Sequence, residues 1–271
     1  MTDFVKMSGA GNDFIVFDNR DSSLDTLLTR ENIRRLCTRS LSVGADGLLE
    51  LRECPHTSFR MKYYNSDGGE AHMCGNGGRC ISAFAAAAGA APASGRFQFM
   101  SGPGLHSAEL FPDGTVGLWM TEPVIHFLEE EITTSAGVVA VSYADTGVPH
   151  AVTFVDNLSD GIFEKLAPMI RAHPSFLPEG ANSTFVSSLG RSQAVMRTWE
   201  RGVEGETLAC GTGAVAAALV GRELGLFDLP MDIRMKSGLL LSVGLDKSGW
   251  WLRGEARTVY AGSLKDHWYD A

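Results

Sequence analysis

The sequence predicts an α+β protein of two homologous halves, each a curved, mostly antiparallel β-sheet or barrel around a central helix, with the active site in the cleft between them. Three observations carry this. The stretch "EAHMCGNGGRC" at residues 70–80 returns in outline as "EGETLACGTGA", whose cysteine, Cys210, stands 136 positions after Cys74. The same ungapped offset pairs Gly11 with Gly147, Gly44 with Gly180, Ala45 with Ala181, Glu70 with Glu206, Ser101 with Ser237 and Gly102 with Gly238, which points to duplication. Finally, short apolar runs outnumber helical patterns and do not alternate with them, which disfavours a doubly wound parallel sheet.

Taken in order, "FVKM", "DFIVFD", "GLLELRE", "FRMKYYN" and "RFQFMS" are short apolar or alternating runs bounded by Gly, Asp and Asn, and read as strands. Helical periodicity appears at about Glu31 to Arg39 and after Cys74, then at about Ile162 to Ala172 and after Cys210. "FPDGTVGLWM" and "LDKSGWWLRG" read as hairpins around Asp-Gly and Ser-Gly turns. The halves meet between Thr121 and Gly137, giving an N-terminal half over residues 1–125 with Cys74 and a C-terminal half over 126–271 with Cys210. The alanines after each cysteine let backbone and sheet approach the central helix closely.

A chain of 271 residues with 44% hydrophobic and 20% charged residues can bury a core without staples. Its net charge of -9 argues against general nucleic-acid or anionic-membrane binding and favours a small solute as partner. The N-terminus has no signal-peptide pattern and the longest apolar stretch is too short to span a bilayer, so a cytoplasmic location is expected. Five cysteines without a CxxC pair fit a reducing compartment.

A glycine-rich turn entering a helix exposes backbone N–H groups without intrahelical partners, and the helix dipole adds positive potential there. Such an end receives a carboxylate, and the same field is expected to lower the pKa of a thiol. Two such thiols, brought by duplication to opposite faces of one carbon beside a carboxylate, suit a racemase or epimerase. One takes the α-proton and the other returns one, while the N–H groups of Gly75-Asn76 and Gly211-Thr212 stabilise the developing charge. Nothing in the sequence indicates pyridoxal phosphate; no cofactor and no metal are expected.

"KMSGAGNDF", "NSDGGEAHMCGNGGRC", "TGVPHAV" and "WERGVEGETLACGTGA" closely resemble the diaminopimelate epimerases, in order from Lys6 to Gly213. The resemblance implies interconversion of LL- and meso-diaminopimelate for lysine and peptidoglycan synthesis, without pyridoxal phosphate, by a homodimer of two similar barrel-like halves. Cys74 and Cys210 are then the acid/base pair, and Gly75, Asn76, Gly211 and Thr212 hold the reacting carboxylate. Asn12, Asn65, Asn182, Glu200 and Arg201 would grip the amino and carboxylate groups, mainly at the non-reacting end, where the planar fork of Arg201 suits a carboxylate. His150 would lie beside the reacting centre and tune one thiol, and Glu200 the other.

Two positions depart from the family pattern. Val148 stands where many members have Asn before Pro-His, and Gly47 where some carry Gln. A two-cysteine racemase of another amino acid, such as histidine, is therefore the alternative, followed by a Cys/His acyl-transfer enzyme, which would need only one thiol. A redox pair of Cys74 and Cys210 and a non-catalytic amino-acid binder complete the field. Cys37, Cys54 and Cys80 read as buried small hydrophobes. "GAGNDF" lacks the third glycine of a dinucleotide fingerprint, "HMC" around His72 has too few ligands for zinc, and "FLEEEI" reads as a solvated face.

Overall fold

A tight hairpin opens the chain: β1 (Thr2–Gly9) and β2 (Asn12–Asp18) run antiparallel, joined by Ala10 and Gly11, both at positive φ. The computed structural model describes residues 1–71, 73–102, 104–266 and 268; His72 of the zinc reading lies outside them. The chain divides into two units, one formed by residues 1–118 with 254–271 and the other by 119–253.

In the first unit β2 leads through α1 (Arg30–Cys37) to β3 (Gly47–Arg52), which lies parallel to it. Thr29 caps α1 by accepting from the Asn32 N–H, and Ile33, Leu36 and Cys37 bury its apolar face against Phe4, Ile15, Phe17 and Leu48. β4 (Phe59–Asn65) pairs antiparallel with β3, and the short β5 (Glu70–Ala71) folds back on β4. Next come α2 (Gly75–Ala87) and β6 (Gly95–Ser101), the latter parallel to β4, then β7 (Gly104–Leu110), antiparallel to β6. A turn at Phe111–Thr115 leads into β8 (Thr115–Trp119) where the Asp-Gly signal stands. The helix α2 lies hard against β1: a Cβ on Gly9 would stand 2.9 Å from the Asn76 carbonyl oxygen and 3.0 Å from the Cys80 sulfur.

The second unit repeats this plan. β9 (Val124–Thr134) and β10 (Gly137–Asp145) pair antiparallel, β10 pairs with β11 (Pro149–Phe154), and α3 (Asp160–Arg171) crosses to β12 (Asn182–Gly190), parallel to β11. β13 (Gln193–Glu200) and β14 (Gly205–Thr207) lead to α4 (Gly211–Glu223), which crosses to β15 (Met231–Arg234), parallel to β13. β16 (Leu240–Asp246) and β17 (Gly249–Glu255) follow across the Ser-Gly turn. Both α2 and α4 have 13 residues and start at positions related by the offset of the cysteines. The last strand, β18 (Arg257–Leu264), pairs antiparallel with β1 and completes the first unit.

The architecture is thus the expected α+β one, rich in strands, with two parallel crossovers in each unit and the other assigned pairings antiparallel. In the second unit Phe163, Ala167 and Ile170 of α3 pack on Ile132, Val141 and Phe185. The Arg197 guanidinium lies 4.1 Å over the Phe163 ring, grips Glu206 with two bonds of 2.6 and 2.8 Å and reaches Asp160 at 2.7 Å. Glu129, Glu130 and Glu131 are exposed on β9, a solvated face as read from sequence. Cys37 and Cys80 are core residues, whereas Cys54 is a correction: it follows β3 in a loop, is only partly covered, and hydrogen bonding from Thr57 lowers its thiol pKa. Among the described residues no helix is long and apolar enough to cross a membrane, and no cluster of His, Cys, Asp and Glu has the makings of a metal site.

Candidate active site

Each unit presents one candidate half-site at the N-terminus of its small-residue helix. Cys74 is the N-cap of α2 in extended backbone (φ -138°, ψ 122°), and its sulfur accepts from the Gly77 N–H at 3.4 Å. Glycines at 75, 77 and 78 keep side chains away from this turn; Gly77 and Gly78 donate to Cys74, and the N–H groups of Gly75 and Asn76, which have no intrahelical acceptor, face outward to an anion. Asn76 is buried and donates its amide to the Asn12 side-chain oxygen, and Asn12 donates in turn to Asp46 at 3.2 Å. Asp13 anchors the same loop through Lys6 at 2.8 Å and Arg39 at 2.6 Å. Burial pushes the Asp13 carboxyl up, but Arg39 and Lys6 outweigh it and hold it down to about 2.

Asn65 ends β4 on the surface and accepts from the Tyr63 hydroxyl at 2.8 Å. Beside it, Gly47 is fitted to its neighbours. An added Cβ would stand 2.6 Å from the Tyr64 carbonyl oxygen and 2.8 Å from the Tyr63 ring. The departure at Gly47 is therefore matched by Tyr63, whose ring occupies the space a longer side chain would need.

In the second unit Cys210 caps α4 with nearly the same backbone (φ -133°, ψ 106°) and stands 3.5 Å from the Thr212 hydroxyl. Its environment is different from that of an exposed helix end. Burial, reinforced by the adjacent Glu200 carboxylate, pushes the Cys210 thiol well above its ordinary value, so the lowering expected from the helix end alone is overturned here. Burial also raises Glu200, which accepts a hydrogen bond from Thr207 at 2.8 Å and contacts Cys210.

His150 is fully buried; Nε2 lies 3.0 Å from the Thr212 hydroxyl and Nδ1 lies 2.9 Å from the Thr184 hydroxyl. Burial, with Arg201 nearby, holds the imidazole down to about 3, so it is neutral. Asn182, paired with His150 across the β11–β12 register, orients its oxygen toward the Arg201 backbone N–H at 2.8 Å. The Arg201 side chain is exposed and donates to the Glu179 carbonyl at 2.7 Å. Val148 lies in the turn before β11, its carbonyl accepting from Thr146.

The first half-site therefore gathers Cys74, Gly75, Asn76 and Asn12, with Asn65 at the end of β4. The second gathers Cys210, Gly211, Thr212, His150, Asn182 and Glu200, with Arg201 on its rim. Glu200 and His150 both stand near Cys210, whereas the sequence reading gave one to each thiol. Among the partners missed from sequence are Thr184, Thr207 and Asp46. Thr184 had a usable signal, since it follows Asn182 by two positions on a strand and so shares its face. The other two are brought in by a strand return and a loop, for which no local pattern exists.

Comparison with known proteins places the chain in a family. The family model for diaminopimelate epimerase matches residues 4–126 and 142–259. A diaminopimelate epimerase of Chlorobaculum tepidum is 41% identical over 261 residues, covering 95% of this chain and 99% of that one. One from Hydrogenobaculum is 38% identical over 271 residues, covering 96% and 97%. Among solved structures, a probable proline racemase from Agrobacterium radiobacter superposes over 100% of this chain and 94% of its own, with a TM-score of 0.70 at 15% identity, a likeness of fold.

Proposed function

Since the chain belongs to the diaminopimelate epimerase family and is an isomerase, we propose that it interconverts LL- and meso-diaminopimelate by moving protons between its two capping cysteines and the substrate α-carbon. The observation that carries this is the repeated half-site. Equivalent helices of 13 residues begin directly after Cys74 and Cys210, each offering N–H groups to a carboxylate and a sulfur beside it. A single-thiol reaction leaves one copy without purpose.

The mechanism requires the two sulfurs to reach opposite faces of one α-carbon. A thiolate takes the α-proton, so a C–H bond breaks and an S–H bond forms, and the electron pair spreads into the carboxylate. The opposite thiol then delivers its proton to the other face, leaving the enzyme with its protonation reversed. Cys210, its thiol raised by burial and by Glu200, enters this cycle as the proton donor, which leaves Cys74 to take the α-proton. The helix N-termini stabilise the carboxylate as charge accumulates on it. Neutral His150 orients the Thr212 hydroxyl, and Asn12, Asn65, Asn182 and Arg201 read the rest of the substrate. Assembly as a homodimer, a cytoplasmic location and service to lysine and peptidoglycan synthesis are parts of the same proposal.

Incubation with LL-diaminopimelate in deuterated water tests it: solvent deuterium must enter the α-carbon, and either Cys→Ala change must abolish turnover. Reduced enzyme that exchanges no deuterium would sink the proposal. A panel of diaminopimelate, histidine, proline and glutamate then decides the substrate, since Val148 and Gly47 depart from the family pattern.

A further inference from the structure

Arg79 lies one turn into α2 and is 0% exposed. Its Nη2 donates to the Asn76 side-chain oxygen at 2.6 Å, whereas Nε and Nη1 have no hydrogen-bond partner among the described residues. A guanidinium stays charged and can only donate, so burying one with two idle donors is costly and calls for a reason.

The contact it does make sets the direction of two side-chain amides. A side-chain amide has one accepting and one donating end. Because Arg79 only donates, Asn76 turns its oxygen inward and its NH2 toward the Asn12 oxygen. Asn12 then directs its own NH2 to the Asp46 carboxylate at 3.2 Å, which only accepts. A cation at one end and a carboxylate at the other set both amides head to tail. Flipping either would face NH2 to guanidinium or oxygen to carboxylate. The second unit has nothing equivalent: Val215 stands at the position matching Arg79, and Thr212, matching Asn76, takes its direction from His150.

We propose that Arg79 is a positioning residue for the Cys74 half-site, its buried guanidinium acting with Asp46 to hold the Asn76 and Asn12 amides in one polarity, so that their free N–H groups face the substrate carboxylate preset. Its catalytic part rests on the epimerase reading; its structural part does not.

The test combines side-chain amide NMR with kinetics on the wild type and Arg79→Lys, which keeps the charge but loses the fork. In the wild type without substrate, the Asn76 NH2 proton bonded to Asn12, assigned against Asn76→Ser, should exchange with solvent about 100-fold slower than an exposed amide. Arg79→Lys should lose most of that protection and lower kcat about 30-fold, with KM changed less than about 3-fold. Unprotected amides in the wild type overturn the proposal. So does Arg79→Lys with protection and kcat both kept, or with only one of them lost. If the Lys variant does not fold, the wild-type spectrum decides alone. Protected amides in a protein that exchanges no α-deuterium would remove the epimerase reading and leave the relay standing.

Discussion

The Nε2 atom of His150 stands 3.0 Å from the Thr212 hydroxyl while its Nδ1 stands 2.9 Å from that of Thr184, so the buried ring is clamped from both sides. Its folded-state pKa, about 3, lies below the ordinary 6.5. As pH falls, the unfolded chain therefore takes up this proton first. The contribution to stability is complete above about 6.5 and is lost progressively down to about 3. Thermal unfolding from pH 8 to 4 should show a steeper loss of Tm for the wild type than for His150→Gln. Equal slopes would contradict a buried neutral imidazole.

Glu200 helps keep the Cys210 proton in place. Removing its charge in Glu200→Gln should move the onset of Cys210 alkylation by iodoacetamide to lower pH, read by mass spectrometry of the Cys210 peptide. The same variant should lower kcat/KM about 10-fold or more, because the two sulfurs are then no longer biased to opposite states. An onset displaced to higher pH would refute the assignment.

Gly213 gives the His150 cluster its room. A Cβ there would stand 3.2 Å from His150 Cε1 and 3.3 Å from the Thr184 and Thr198 hydroxyls. Gly213→Ala should push the imidazole off Thr212 and cost about 1–3 kcal/mol of stability, despite the helix preference for alanine. Denaturant unfolding measures the loss; a stabilised variant would show that the cluster yields easily.

The Tyr63 hydroxyl donates to Asn65 at 2.8 Å in the space beside Gly47. If Asn65 reads the substrate, Tyr63→Phe should raise KM about 3- to 10-fold with kcat little changed, the loss of one neutral hydrogen bond. Steady-state kinetics decide the point, and an unchanged KM would detach Asn65 from recognition.

Much of this was legible because duplication is written in residue identities. Cys74 and Cys210, with the glycines behind them, located both helix starts, and the apolar run in "DFIVFD" and the alternation in "FRMKYYN" located β2 and β4. What could not be read depends on surroundings assembled from distant segments. The helix N-terminus predicted a depressed thiol, but the burial and carboxylate that reverse this at Cys210 exist only after β13 and β14 have folded around it. Cys54 failed for the opposite reason: an apolar residue type was placed inside when its loop keeps it near the surface. Arg79 inside "GNGGRC" gave no warning that an arginine would be wholly enclosed.

β18 pairs with β1 from Thr2↔Leu264 to Ser8↔Arg257, so the earliest and latest strands of the first unit are hydrogen-bonded neighbours. On the ribosome, residues 119–253 can emerge and condense as one uninterrupted piece, while the segment carrying Cys74 must wait with an open sheet edge for residue 264. The second cysteine's unit is thus one continuous segment, whereas the first is completed by the strand made last.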